Sequence, residues 1–92
     1  MRAFTITARA MRWDLRRVFV PVGVEVSARV ENRDVGIPHN LHVRLATDPR
    51  TELVVGVATQ ELRFVVSEAG EFEFLCDIHP FMSGVVVAVA RT

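Results

Sequence analysis

Hydrophobic and polar residues alternate along most of this chain with a period of two, the pattern of strands buried on one face. Val24, Val26, Ala28 and Val30 alternate with Glu25, Ser27, Arg29 and Glu31. Leu62, Phe64 and Val66 alternate with Glu61, Arg63 and Ser67, and Phe72, Phe74 and Cys76 share a face opposite Glu71 and Glu73. Val85-Val86-Val87-Ala88-Val89-Ala90 is apolar on both faces, which suits a central strand. Phe4, Ile6 and Ala8 give a weaker first strand, and Val18-Phe19-Val20 another. Pro21-Val22-Gly23, Asn32-Arg33-Asp34, Asp48-Pro49-Arg50 and Glu68-Ala69-Gly70 mark turns. No long helical period interrupts the series, so the pattern predicts an all-β sandwich. Between Thr47 and Thr59 strand, loop and short helix all remain open.

Composition narrows this picture. Ninety-two residues make one domain, 1–92, without room for a second. Half the residues are hydrophobic, which a chain this short needs to build a core. Eleven arginines, with no lysine, balance eleven carboxylates. There is no basic stripe for nucleic acid and no charge block of a disordered tail. Zero net charge also predicts docking that is mainly apolar and weakly dependent on salt. The expected state is a monomer.

The N-terminal Met1-Arg2-Ala3-Phe4-Thr5-Ile6-Thr7 lacks the continuous apolar stretch of a signal peptide. No run approaches the roughly 18 apolar residues that span a bilayer, so a soluble chain without membrane insertion is expected. One cysteine excludes an internal disulfide and a two-cysteine binuclear copper centre.

That cysteine opens the segment with the most chemistry, Cys76-Asp77-Ile78-His79-Pro80-Phe81-Met82, with a further imidazole at Pro38-His39-Asn40. Taken singly, each is ordinary: a free Cys is usually a small buried hydrophobe, and a Met beside a Phe usually fills a core. Together they supply one thiolate, two imidazoles and one thioether. His₂Cys with a weak axial Met is the donor set of a blue-copper electron-transfer site. Pro80 removes a backbone donor and fixes φ, stiffening the loop. If residues 39–45 are extended, His39, Leu41, Val43 and Leu45 share the core face with Cys76, while His42 points to solvent. His39 is therefore the expected ligand and His42 a surface residue. Asn40 is placed to bridge the two ligand loops.

Pro38-His39-Asn40 followed by an alternating strand, then Gly70-x-Phe72-x-Phe74-x-Cys76-x-x-His79-Pro80-Phe81-Met82, resembles the cupredoxins. The short His79-to-Met82 spacing is closer to their amicyanin than to their plastocyanin branch. The resemblance implies an eight-stranded Greek-key sandwich binding one copper ion, with His39, Cys76 and His79 equatorial and Met82 axial. Asn40 would tie the His loop to the Cys loop, and Pro80 and Phe81 would form a docking patch for redox proteins, an electron donor and an acceptor. Periplasmic or extracellular residence is also implied. Asp77-Ile78 departs from the uncharged, Pro-containing loops of amicyanins; the carboxylate could favour Cu(II) or simply point into water.

The expected function is therefore single-electron transfer by a type 1 copper site, with the electron passing through the exposed edge of His79 and no substrate transformed. Copper storage or delivery and a metal-free interaction module are the alternatives. A thiol enzyme using Cys76 and His79 lacks a third orienting group.

Overall fold

The computed structural model describes residues 1–90; residues 91–92, the end of the expected 1–92 domain, lie outside it. Ten strand segments follow one another: β1 (Arg2–Arg9), β2 (Arg12–Trp13), β3 (Arg17–Pro21), β4 (Val26–Asn32), β5 (Pro38–His39), β6 (His42–Val43), β7 (Val54–Val55), β8 (Ala58–Phe64), β9 (Gly70–Cys76) and β10 (His79–Val89). Eight of them form two four-stranded sheets, ordered β2-β1-β4-β8 and β3-β10-β9-β6, while β5 and β7 make a small separate pair. The β1–β4 and β3–β10 pairings are parallel and the rest antiparallel. The all-β sandwich expected from the alternation is what forms. Among the described residues no helix is long and apolar enough to cross a membrane.

Alternation decides which side chains meet between the sheets. Ile6, Val26, Ala28 and Phe64 come from the first sheet, and Val20, Phe74, Val86 and Ala88 from the second, all into one buried cluster. Burying each large apolar side chain contributes about 1.5–3 kcal/mol. Val85–Val89 runs between β3 and β9, the central place that its two-sided apolar pattern suggested. Gly84 is required there, because a Cβ would meet the Phe74 ring at 2.3 Å and the Arg16 carbonyl oxygen at 2.5 Å.

Three local features, two of them departures from the sequence pattern, shape one end of the sandwich. Residues 39–45 are not one strand: β5 and β6 flank an irregular Asn40-Leu41, and they belong to different sheets. The 47–59 segment contains no helix, only loop, β7 and the start of β8. Finally, β1 and β2 form a hairpin around Ala10-Met11, both at positive φ (53° and 59°). That backbone is the one a two-residue hairpin turn demands, but neither residue favours it.

Candidate metal centre

Strands β9 and β10 pair Cys76 with His79 across the tight turn Asp77-Ile78. The next pair is Leu75 with Ser83, so one step on β9 corresponds to four on β10. The three extra residues, Pro80, Phe81 and Met82, form a bulge. Bulges re-aim side chains next to functional sites, and here Pro80 and Phe81 are turned outward while Met82 is buried. The Trp13 indole N–H donates to the Met82 carbonyl at 3.0 Å, fastening the bulge to β2.

The Cys76 thiol is completely buried, and two imidazoles converge on it. His39 Nδ1 lies 3.9 Å and His79 Nδ1 3.6 Å from Sγ. The ring centroids of the two histidines are 5.1 Å apart, inclined at 68°. One donor atom from each of His39, Cys76 and His79 falls within 4.8 Å of the others, a spacing that can surround one ion. Met82 is buried in the core that also contains Cys76. The structure thus brings His39, from a distant part of the sequence, to Cys76 and His79.

Asn40 ties the His39 segment to the Cys76 turn: its amide donates to Asp77 Oδ2 (2.8 Å) and to the Thr51 carbonyl (3.2 Å), and its Oδ1 accepts the Asp77 N–H (2.9 Å). The Asp77 carboxylate does not simply point into water. It also meets His42 Nδ1 at 2.7 Å and Arg50 at 3.5 Å. Burial pushes the Asp77 carboxyl up, but bonds from Asn40 and His42 and the charges of His42 and Arg50 leave it below its ordinary value.

His42 corrects the sequence reading. It is not a surface histidine but only 8% exposed, with Nε2 2.5 Å from Asp48 Oδ1. Because β6 is followed by a loop that folds back, bridging His42 to Arg50, the face expected to be wet is covered. Both ring nitrogens are occupied by carboxylates, leaving none for a metal.

The profile of the Cupredoxin-like domain matches residues 1–88. The chain belongs to this family. No curated protein sequence matches it. Reduced auracyanin from the photosynthetic bacterium Roseiflexus castenholzii superposes with a TM-score of 0.86 at 16% identity, over 97% of this chain and 98% of that one. Auracyanin A from Chloroflexus aurantiacus, described as a blue copper protein, gives 0.81 at 18%, over 95% and 98%. A reduced Cu(I) amicyanin variant gives 0.70 at 26%, over 95% and 82%.

Two further residues of this cupredoxin-like chain flank the site without having been singled out by sequence. Asp34, 9% exposed, places Oδ2 2.7 Å from His39 Nε2 and accepts the amides of Ala10 (2.6 Å) and Met11 (3.0 Å). Burial raises its carboxyl, but the Met11 amide, His39 and the Ala10 amide outweigh that and hold it below the ordinary value. Trp13 packs against His39 at 6.5 Å and Phe74 at 6.3 Å between centroids. In the sequence Asp34 reads as a turn residue, and nothing in the pattern marks Trp13. On the outer side, His79 is half-buried, 5.9 Å from the Phe81 ring, and Phe81 itself is 69% exposed beside Pro80.

Proposed function

We propose that the chain is a mononuclear type 1 copper protein that carries single electrons between redox proteins, with His39, Cys76, His79 and Met82 as ligands. The observation that carries this reading is the buried Cys76 thiol, with an imidazole Nδ1 from each side and a buried thioether three residues beyond His79. The donor set fits copper: thiolate and thioether suit Cu(I), imidazole suits both oxidation states, and a thioether is a poor ligand for zinc. Bound there, copper supplies a Cu(II)/Cu(I) couple.

The residues of the chain do the rest. Pro80 and the hydrogen bonds of Asn40 restrain the two loops, so that the donor atoms need move little between oxidation states. The thiol of Cys76 is shielded from solvent and oxidants by the sandwich core. His79, half-buried within the collar of exposed Pro80 and Phe81, offers the route from the interior to a docked partner. The blue copper description of auracyanin A and the Cu(I) form of amicyanin support the same reading. The role is that of a carrier, without substrate chemistry, and an extracytoplasmic location accords with it.

The test is to add one equivalent of Cu(II) to the purified chain and record absorption and paramagnetic resonance spectra, followed by voltammetry. An intense visible thiolate-to-copper band, narrow copper hyperfine splitting and a reversible couple are expected. Cu(I) binding with no stable Cu(II) form would instead identify a storage or delivery domain.

A further inference from the structure

His39 Nδ1 faces the Cys76 sulfur, so the other ring nitrogen is free to meet the protein, and what it meets is a buried carboxylate. Asp34 is fixed from several directions. Its backbone N–H donates to Asn32 Oδ1 (2.9 Å), the Ile37 N–H returns to its carbonyl (3.1 Å), and two N–H groups of the Ala10-Met11 turn hold its side-chain oxygens. Asn32 in turn donates to the carbonyls of Ile37 (2.8 Å) and Val54 (3.0 Å). The backbone bonds fix the residue, and its carboxylate cannot swing away from His39 without abandoning the Ala10 and Met11 amides.

We propose that Asp34 is a positioning residue for the metal site: it holds the proton of His39 on Nε2, presents Nδ1 to the ion, and favours the oxidised ion through its negative charge. A carboxylate that already accepts two amide N–H groups is an acceptor toward the ring as well. His39 Nε2 must then donate, which leaves the Nδ1 lone pair for the metal. A carboxylate behind a ligating imidazole also raises its basicity, and removing such a partner typically lowers metal affinity about 10–100-fold. The added negative charge stabilises Cu(II) more than Cu(I), so the reduction potential is lower than it would be with a neutral partner. A second consequence is structural. The strained Ala10-Met11 turn is held by this same carboxylate, so the hairpin that carries Trp13 and the ligand His39 share one anchor.

This inference rests on the copper reading above, and the test separates the two. In Asp34→Asn the blue band should persist, because all four ligands remain. Cu(II) affinity should fall about 10–100-fold with a smaller loss for Cu(I). A differential loss of tenfold raises the potential by about 59 mV. The same comparison in an Ala10→Gly/Met11→Gly background, where the turn no longer needs a clamp, removes effects of hairpin strain. A rise that survives there assigns the effect to His39, and equal losses for Cu(I) and Cu(II) with an unchanged potential would overturn the proposal. If Asp34→Asn does not fold, nitrogen-resolved NMR of the wild-type His39 ring decides. A proton on Nε2 in the metal-free and Cu(I)-loaded chains is expected; an unprotonated Nε2 would overturn it. A wild-type chain that never turns blue refutes the copper reading instead, and leaves the metal-free NMR result as the test of the Asp34 contact.

Discussion

His39 and His79 present the same ring nitrogen to the same sulfur from 5.1 Å apart, yet they rest on opposite kinds of support. His39 is 2% exposed, packed on Trp13, with its far nitrogen on Asp34. His79 stands half-buried at the start of a three-residue bulge, with an exposed Phe81 as its neighbour. One imidazole is set in the rigid interior, where a charged partner can act on it with little screening. The other is set where a partner protein can approach. If this is a copper site as proposed, its work is divided: the His39 side would set the energy of the ion and the His79 side would make contact.

The largest expected effect removes the atom that both imidazoles address. Cys76→Ser should abolish the visible band altogether; a variant that stays blue would dismiss the ligand assignment. Next, the two histidines should part company when each is cut back to glycine and free imidazole is supplied. At His79 the half-open position should admit imidazole and restore the band. At His39 the cavity is sealed, and restoration should be absent or much slower. Equal rescue at both positions would erase the contrast.

The linkage between the two sides can be cut separately. Asn40→Ala removes three hydrogen bonds joining the His39 segment to the Thr51 carbonyl and to the backbone and side chain of Asp77. Leaving buried polar groups unpaired costs about 1–3 kcal/mol, and thermal unfolding of the metal-free chain should show a loss in that range. On the His39 side alone, Met11→Gly should act in the opposite direction, since a non-glycine residue at φ 59° carries a penalty of roughly 1–2 kcal/mol. A small rise in melting temperature is expected; a fall would mean that the Met11 side chain contributes more by packing than its backbone loses.

The smallest effect concerns pH. The carboxyls of Asp48 and Asp77 both lie below the ordinary 3.8 in the folded chain, Asp48 chiefly through His42 and Arg50. Groups with a depressed folded value lend stability that is complete above the unfolded value and fades as pH falls through the lower folded one. Metal-free protein should therefore hold its melting temperature down to about pH 4 and lose it below. An Asp48→Asn/Asp77→Asn variant should show a shallower decline; an identical decline would show that this loop network is not its source.

Much of this was legible without coordinates. The alternation in β4, β8 and β9 located the core face, and the spacing Cys76-x-x-His79-x-x-Met82 set a thiol, an imidazole and a thioether close together in the chain. His39 does face inward, even though the segment carrying it is broken at Asn40-Leu41 rather than extended throughout. The inference that His42 is wet failed because alternation describes one strand and its own sheet. It says nothing of a loop that returns from Asp48 to Arg50 to cover the outer face. The β1–β2 hairpin was invisible for a related reason. Ala10-Met11 carries no turn signal, and its positive φ angles are held by a carboxylate 24 and 23 residues away.

Short-range rules are written into the order of the residues: a period of two that makes strands, an apolar end to β10, and a stiff loop with sulfur and imidazole at fixed intervals. These depend on residues a few positions apart, where backbone geometry leaves little choice. Which groups stand behind those side chains was settled by the packing of the sheets. Asp34 behind His39, Asp77 between Asn40 and His42, and Trp13 on the Met82 carbonyl are meetings of segments brought together by sheet order. Their energies depend on burial and distance, neither of which a linear pattern contains.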